Sequence, residues 1–296
     1  MIDELLIKLC HSYLALARIL TIVENELPLT AEVLARLQVN NRIPVIGITG
    51  PPGAGKSTLV NVILKDLTND GKKVAVLAVD PTSPFNSGAL LGDRIRMPGH
   101  FNNPNVFIRS VASRGSVGGL NARIIEMIEV LKASCFDYII VETVGVGQSE
   151  IEIAGLADIT LVVLIPQAGD EIQHIKSGLM EIGDAFIVNK SDLPTADIFV
   201  NQLEHMLHQR SKITPVFKTI ASTGTGIAEL VKWLSSTDIV IKDTKLLIYT
   251  DRAFKIIQQQ RMRDISKTDL KNYISTNLNQ PTFNLYYIIE NFLKSG

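Results

Sequence analysis

The sequence has only two cysteines, Cys10 and Cys135, among its 296 residues. Two cysteines make no disulfide framework, so we expect buried, unpaired thiols in a reducing cytoplasm. The longest apolar runs, such as ITLVVLIP, fall far short of the ~20 residues of a membrane-spanning helix. Residues 1–10 carry early acids and lack the basic segment and cleavage site of a secretion signal. The sequence therefore predicts a cytoplasmic protein without a membrane segment.

An excess of charge of either sign is also missing. The formal net charge is −1 and 20% of the residues are charged, so the chain lacks the basic surface that nucleic-acid binding needs. Hydrophobic residues make up 46%, which is ample for a packed core and opposite to the balance found in disordered chains. We expect a folded protein with no nucleic-acid partner.

The two ends of the chain have helical patterns. Residues 2–24 repeat apolar positions at intervals of three and four, which predicts one amphipathic helix. Thr30 is expected to cap a second, short helix. Near the other end, helices are predicted over 244–263 and over 266–294, where Pro281 separates two of them.

Between the ends, short runs rich in valine and isoleucine alternate with helical segments. Most runs are apolar at consecutive positions, which is typical of strands covered on both faces. The alternation predicts an α/β fold with right-handed crossovers and a mostly parallel sheet flanked by helices. The predicted strands are IPVIGIT, KKVAVLAV, NVFIRSVA, FDYIIVET, ITLVVLIP, AFIVNK and TPVFKTIA, with helices over 55–69, 120–134, 171–182 and 196–209. The predicted organisation is a helical extension at 1–42, an α/β domain at 43–236 and a C-terminal helical region at 237–296.

A phosphate-binding loop follows the first predicted strand. The pattern Gly50-x4-Gly55-Lys56-Ser57 lies directly after a strand and directly before a helix, which is the context of a P-loop. Glycines let backbone N–H groups wrap the β-phosphate, and the helix N-terminus favours its charge. Lys56 is expected to bridge the β- and γ-phosphates, and the Ser57 hydroxyl to bind Mg²⁺. The predicted nucleotide-binding residues here are Gly50, Pro51, Pro52, Gly53, Ala54, Gly55, Lys56, Ser57 and Thr58.

Acidic residues near the ends of neighbouring strands are candidates for completing the Mg²⁺ site, because ligands bind at that edge of a parallel sheet. Asp80 and Glu142 each end a strand, and Asp93 lies in the loop after Asp80. In Glu142-x-x-Gly145 the acid can face the metal while the glycine amide reaches the γ-phosphate. For Asp80 alone, a helix cap or a solvated charge is an equally good interpretation. We expect Asp93 and Glu142, with Lys56, to be the catalytic residues.

The sequence offers no obvious residue to position the attacking water. Gln148 and Gln173 are both weak candidates, which predicts slow intrinsic hydrolysis that awaits a partner. The long loop 82–96 contains Arg94 and Arg96 and has the character of an order–disorder switch, although exposed arginines are the commoner case.

A second loop determines which base the site accepts. In Asn189-Lys190-x-Asp192, the Asp192 carboxylate can accept from guanine N1–H and the 2-amino group, whereas adenine would leave it unpaired. The aliphatic stem of Lys190 is expected to lie along the base, and Asn189 to tie this loop to the P-loop. A backbone amide of Ala221 or Ser222 is expected to contact the guanine oxygen. The predicted nucleotide is GTP, with GDP as the product.

Several longer motifs together resemble the ArgK/MeaB family of P-loop GTPases, the methylmalonyl-CoA mutase-associated GTPases once called LAO/AO transport ATPases. These motifs are GITGPPGAGKSTL, GALLGDRIRM, RSVASRGSVGGL, FDYIIVETVGVGQSE, AGDEIQHIKSGLMEI and VNKSDLP. The resemblance implies a homodimer, joined through its C-terminal region, that binds an adenosylcobalamin-dependent acyl-CoA mutase, gates its cofactor loading and protects it. It also implies a switch loop at 167–183, with Asp170, Gln173 and Lys176 facing the mutase.

The sequence departs from the family pattern in places. Gln167 stands where a glycine is usual, and Ile220-Ala221 stands where the family has Ser-Ala near the base, so the side-chain support of that loop differs. The stretch between Asp192 and Ala221 is also shorter than usual.

Two other function classes share parts of this pattern. A nickel-insertion metallochaperone GTPase has the same sheet architecture but tends to carry His-rich or Cys-x-x-Cys ligand sets. Here His205 and His208 lie three residues apart on a predicted helix, where solvated imidazoles are commoner than a metal site. A P-loop kinase linked to amino-acid transport is the other alternative, and the guanine-selective pattern disfavours it.

Overall fold

Seven parallel strands form one sheet in the computed structural model, in the order β3-β2-β4-β1-β5-β6-β7. The structure describes residues 2–80, 97–100, 102–112, 123–143, 149–166, 178–208, 213–239, 242–278 and 283–295. The prediction of a mostly parallel α/β sheet is confirmed, and each predicted run contains one strand. The strands are β1 (Val45–Thr49), β2 (Val74–Asp80), β3 (Val106–Ala112), β4 (Tyr138–Glu142), β5 (Ile159–Leu164), β6 (Ala185–Val188) and β7 (Val216–Lys218).

Helices connect the strands and form both ends of the chain. The helices predicted over 55–69, 120–134, 196–209, 244–263 and 266–294 are confirmed within the described residues, the last as a pair, while residues 120–122, 209 and 279–282 lie outside the described part of the chain. Of the helix predicted over 171–182, residues 171–177 lie outside the described part of the chain. The helices are α1 (Ile2–Ile7), α2 (Tyr13–Glu24), α3 (Thr30–Ala35), α4 (Lys56–Asn69), α5 (Ile124–Lys132), α6 (Ser149–Leu156), α7 (Met180–Ile182), α8 (Ala196–Leu207), α9 (Ile227–Ser236), α10 (Asp243–Arg261), α11 (Lys267–Asn277) and α12 (Leu285–Ser295), with a short 3₁₀ helix at Pro98–His100.

The strands at the centre of the sheet are buried along their whole length. Every residue of β1, β5 and β6 is buried, as the consecutive apolar runs predicted. Ile48 and Val163 of these strands belong to one hydrophobic cluster with Leu59 and Ile63 of α4. Burying a side chain of this size stabilises the fold by roughly 1.5–3 kcal/mol. This packing holds α4, and the loop that precedes it, against the sheet.

The N-terminal segment forms two helices where the sequence predicted one over 2–24. The first ends at Ile7, and the second begins at Tyr13. Ser12 caps the second helix, because its Oγ accepts a hydrogen bond from the Ala15 amide at 3.3 Å. The capping preference of serine therefore interrupts a segment whose apolar periodicity is continuous.

The capping role predicted for Thr30 is also wrong. Thr30 is the first residue of α3, and Leu29 is the N-cap residue, which makes no side-chain capping bond. The Thr30 hydroxyl instead donates to the Ile22 carbonyl at 2.9 Å. The Ile22 carbonyl lies in the last turn of α2 and also accepts from the Leu27 amide at 3.0 Å, so the added bond from Thr30 ties α3 to α2.

A disulfide joins Cys10 and Cys135, so the prediction of two unpaired thiols is wrong. Their Cα atoms lie 5.0 Å apart although 125 residues separate them in sequence. The turn between α1 and α2 is brought there by Tyr13, whose ring centroid lies 5.5 Å from that of Phe107 and 6.2 Å from that of Phe136. The pairing arises from tertiary packing, which the number of cysteines does not reveal.

Reduction of this disulfide is expected to lower the free energy of unfolding by about 3–5 kcal/mol, because the bond closes a loop of more than 100 residues. Urea unfolding of the oxidised protein, of the reduced protein and of Cys10→Ser would measure the difference. Cys10→Ser serves as its own control, since a reductant should leave its unfolding curve in place. Two free thiols in the unreduced, unfolded wild type would contradict the pairing.

Two ion pairs fix the first turn of α10 and the residue that precedes it. Lys242 Nζ lies 2.6 Å from Asp184, and Lys245 Nζ lies 2.6 Å from Asp158. Asp158 also accepts a hydrogen bond from the Val45 amide at 2.9 Å. Both aspartates directly precede strands, at the edge of the sheet opposite to the strand ends where ligands bind. The segment is therefore anchored away from the candidate site.

The chain divides into two compact units, residues 1–245 and 246–296. Within the second unit, α11 and α12 meet through Tyr273 and Phe292, whose ring centroids lie 5.3 Å apart. The domain limits drawn from the sequence, 1–42, 43–236 and 237–296, stay a prediction. Within the ranges that the structure describes, no helix has both the length and the apolar character that crossing a membrane requires.

Candidate nucleotide-binding site

The phosphate-binding loop lies between the end of β1 and the start of α4, as predicted. Gly50 and Gly55 adopt positive φ angles of 139° and 86°. A Cβ atom at Gly50 would lie 2.0 Å from the Val163 carbonyl oxygen, and one at Gly55 would lie 2.4 Å from Asn189 Nδ2. Both positions therefore require glycine for backbone conformation and for space. The close approaches place the loop directly against β5 and the loop that follows β6.

Lys56 is buried at the first position of α4, with 6% of its surface exposed. Its Nζ donates to the carbonyl oxygens of Gly50 at 2.8 Å and Pro51 at 2.9 Å. The ammonium group thus lies over the concave side of the loop. Its contact with the phosphates stays a prediction.

Ser57 and Glu142 meet at the start of α4. The Ser57 hydroxyl donates to Glu142 Oε1 at 2.6 Å, and Glu142 is buried at the end of β4. In the sheet register, Glu142 is aligned with Ile48 of β1 and Ala78 of β2. The structure therefore brings together two of the four residues predicted to bind Mg²⁺. Asp80 ends β2 at the same edge of the sheet.

Several predicted residues lie outside the described part of the chain. Of the predicted magnesium, catalytic and γ-phosphate residues, Asp93 and Gly145 belong to this group. The remaining ones are the loop 82–96 with Arg94 and Arg96, and Gln148, Gln167, Asp170, Gln173 and Lys176.

Asn189 links the second loop to the P-loop, as the sequence predicted. Its Nδ2 donates to the Ala54 carbonyl at 2.9 Å. Its Oδ1 accepts from the Thr219 hydroxyl at 3.3 Å and from the Ala221 amide at 3.1 Å. The side chain is 2% exposed. One amide group thus holds three loops in register, and Thr219 is a member of this network that the sequence did not reveal.

The Ala221 amide already donates a hydrogen bond within the protein, which bears on the choice between Ala221 and Ser222 as the donor to the guanine oxygen. Because that amide donates to Asn189, Ser222 is the better of the two candidates. Ser222 is exposed at the turn that follows β7. Among the described residues, no acceptor receives a hydrogen bond from its amide.

The loop at Ile220 is supported by backbone hydrogen bonds. The Ile220 amide donates to the Thr225 carbonyl at 3.1 Å, and the Ile220 carbonyl accepts from the Gly224 amide at 2.9 Å. The hydroxyls of Thr223 and Thr225 lie 2.8 Å apart. These contacts close a tight turn with an isoleucine at position 220.

Lys190 and Asp192 are exposed beside this turn. Lys190 has a positive φ of 55°, which is uncommon for a residue with a Cβ atom. The Ser191 amide donates to the Thr219 carbonyl at 3.0 Å, which joins the loop after β6 to the loop after β7. Asp192 therefore lies on a loop that is fixed on two sides.

The two histidines considered for a metal site, His205 and His208, are exposed on and just after α8. In the ranges that the structure covers, no group of three His, Cys, Asp or Glu residues is placed to share a metal ion.

Proteins that combine a parallel sheet, a P-loop after a central strand and a buried carboxylate beside the P-loop serine are P-loop nucleoside triphosphatases. The family model described as "Methylmalonyl Co-A mutase-associated GTPase MeaB" matches residues 16–279. The chain belongs to this family and is a GTPase.

Individual relatives agree with the family. The chain is 46% identical over 238 residues to a Pyrococcus horikoshii protein with a provisional GTPase name, PH0274, and the match covers 77% of this chain and 75% of that protein. It is 42% identical over 182 residues to GTPase ArgK of Escherichia coli K12, covering 60% of this chain and 55% of ArgK. The solved structure of a LAO/AO transport system kinase has a TM-score of 0.63 at 24% identity, covers 99% of this chain and 97% of that one, and supports the fold alone.

Proposed function

We propose that this GTPase is a chaperone of an adenosylcobalamin-dependent methylmalonyl-CoA-type mutase. It gates loading of the cofactor into the mutase and protects that enzyme from inactivation, using hydrolysis of GTP to GDP and phosphate. The observation that carries the partner assignment is the family match over residues 16–279, because the family is described as mutase-associated.

The phosphates of GTP would occupy the loop of residues 50–55. Backbone amides of this loop and the N-terminus of α4 attract the negative charge. Lys56 would exchange its bonds to the Gly50 and Pro51 carbonyls for bonds to the β- and γ-phosphate oxygens. Because its ammonium group is already over the loop, little reorganisation is needed.

A magnesium ion fits the residues of the site. The Ser57 hydroxyl and the Glu142 carboxylate are oxygen donors held 2.6 Å apart, and Mg²⁺ prefers oxygen ligands with one or two carboxylates. Ser57, Asp80, Asp93 and Glu142 would hold the ion. When bound, Mg²⁺ neutralises charge that develops on the phosphate oxygens. The contribution of the protein is to fix the serine and the glutamate at the start of α4, and the Gly145 amide would contact the γ-phosphate.

The guanine base would lie against the loop of residues 189–192. The Asp192 carboxylate accepts from N1–H and the 2-amino group, the Lys190 stem covers one face of the ring, and the Ser222 amide donates to the guanine oxygen. The hydrogen bonds of Asn189 to Ala54 and Ala221 hold this base-binding loop against the P-loop and the loop after β7.

The intrinsic rate of hydrolysis is expected to be slow, since no residue described in the structure stands out as the one that orients water. The segment 167–183 would face the mutase, so binding of the partner is expected to complete the catalytic arrangement. Partner-supplied groups raise the rates of other GTPases by about 10³–10⁵.

The proposed assembly is a homodimer formed by the C-terminal region. The second unit exposes many large apolar side chains, with Phe254 60%, Tyr286 83% and Leu293 58% exposed. Exposed apolar side chains in such number are typical of protein interfaces, and a second copy of the chain would cover them.

The cytoplasm stays the predicted location of the protein. The Cys10–Cys135 disulfide removes one argument for it, which was the expectation of unpaired thiols.

A mixture with purified methylmalonyl-CoA mutase tests the partner assignment. The rate of GTP hydrolysis should rise at least about tenfold when the mutase is added, because a bound partner completes the site. An acyl-CoA enzyme that does not use cobalamin is the matched control and should leave the rate where it was. An unchanged rate, together with separate elution of the two proteins at micromolar concentration, would refute the assignment.

A further inference from the structure

Two buried threonines meet where the P-loop and the segment after β4 begin. Thr49 is the last residue of β1, directly before Gly50, and Thr143 directly follows Glu142. Their hydroxyl oxygens lie 3.0 Å apart, and Thr143 Oγ1 also lies 3.5 Å from the Ile48 carbonyl oxygen. Thr49 is 0% and Thr143 is 1% exposed. The pair is therefore a fully buried polar contact between two segments that carry the site.

The contact extends the pairing of β4 with β1 by one residue. The register of these strands pairs Ile48 with Glu142, and the Thr143 amide then donates to the Ile48 carbonyl at 3.0 Å. The hydroxyl contact follows directly. Among the described residues it is the last contact between the ends of β1 and β4, because β1 ends at Thr49 and the described range that contains β4 ends at Thr143. A valine of nearly the same shape would fill either position without the need to satisfy a buried hydroxyl.

We propose that Thr143 and Thr49 are positioning residues for the magnesium site. Their contact fixes the backbone at Thr143, the residue directly after Glu142. The Glu142 carboxylate therefore stays 2.6 Å from the Ser57 hydroxyl. Without the contact, the end of β4 gains freedom at the residue next to the carboxylate. This inference rests on the proposed binding of Mg²⁺ by Ser57 and Glu142. Replacing a residue that orients a metal ligand typically lowers the affinity for the metal by about 10–100-fold.

The test compares how much Mg²⁺ strengthens the binding of a fluorescent, non-hydrolysable GTP analogue. For each protein, the affinity for the analogue is measured with saturating Mg²⁺ and with EDTA. The readout is the affinity with Mg²⁺ divided by the affinity with EDTA. Thr143→Val and Thr49→Val should each lower this ratio about tenfold. Thr143→Ser keeps the hydroxyl and should retain the wild-type ratio.

The double variant Thr49→Val/Thr143→Val separates positioning from stability. Replacing both partners by apolar groups of similar shape is expected to leave the thermal midpoint of the protein close to wild type. The ratio should nevertheless fall by the same factor as in each single variant, because all three lose one shared contact. The double variant also keeps the test decisive where a single variant, with one buried hydroxyl left unpaired, fails to fold.

Glu142→Gln distinguishes failure of this inference from failure of the proposed site. If wild type shows no strengthening by Mg²⁺, the proposed magnesium site is wrong and the inference falls with it. The inference alone is overturned by a combination of three results: Mg²⁺ strengthens nucleotide binding by wild type, Glu142→Gln loses this effect, and the valine variants keep the wild-type ratio. A lower ratio in the valine variants with a wild-type ratio in Thr143→Ser supports it.

Discussion

The Lys56→Ala variant is expected to lose GTP hydrolysis by at least about 100-fold, because it removes the cation that stabilises charge on the transferred phosphate. The Lys56 side chain is buried, and its ammonium nitrogen lies 2.8 Å from the Gly50 carbonyl oxygen of the P-loop. Phosphate release measured at saturating GTP would show the loss directly.

Lys65→Ala is the matched control for this variant. Lys65 is exposed on the same helix, α4, and its replacement should leave the hydrolysis rate within about twofold, since surface substitutions change stability little. Thermal unfolding of both variants would verify that they are folded. Wild-type turnover in folded Lys56→Ala would remove this residue from its proposed role.

Replacing Asp192 by asparagine should change the base that the protein selects. The asparagine side chain offers one acceptor and one donor, so it matches the N1–H and 2-oxygen of xanthine but opposes the 2-amino group of guanine. Sites built on such pairing discriminate strongly, and we expect preference for GTP over XTP to fall by at least about 100-fold. Competition between the two nucleotides for the protein would measure it.

Asp197→Asn is the control for the change at Asp192. Asp197 is exposed at the start of α8 and pairs with Lys218 at 2.8 Å, an exposed contact of small energetic value. Its replacement removes the same charge from the same region and should leave the base preference in place. Equal GTP preference in Asp192→Asn and Asp197→Asn would show that another group reads the base.

Much of the nucleotide site follows from local sequence pattern. Gly50, Gly55 and Lys56 are predictable because a strand, a tight loop and a helix meet within a few residues, and only glycine fits the close approaches to Val163 and Asn189. The bond from Asn189 to Ala54 was predictable in kind, since both loops follow strands of one parallel sheet, β1 and β6 with β5 between them, and so lie at the same edge.

Other features depend on contacts between residues that are distant in sequence. Cys10 and Cys135 are 125 residues apart, and only the packing of Tyr13 against Phe107 and Phe136 brings them together. The contact of Thr49 with Thr143 was missed for the same reason, because a threonine at a strand end is ordinary.

The boundary between α1 and α2 could not be predicted from the apolar pattern. Apolar periodicity continues through Ser12, but the serine side chain caps a new helix at this point. Periodicity reports which face is buried, whereas the break depends on a local hydrogen bond. The existence of helices was therefore predictable, and their limits were less so.

Calorimetric titration of the wild-type protein with GTP and, separately, with ATP, both with Mg²⁺, tests the account most directly. A P-loop alone accepts either nucleotide, whereas the loop from Asn189 to Asp192 should favour the guanine base. We predict that GTP binds at least about 100-fold more tightly than ATP. Equal affinities, or tighter binding of ATP, would contradict it.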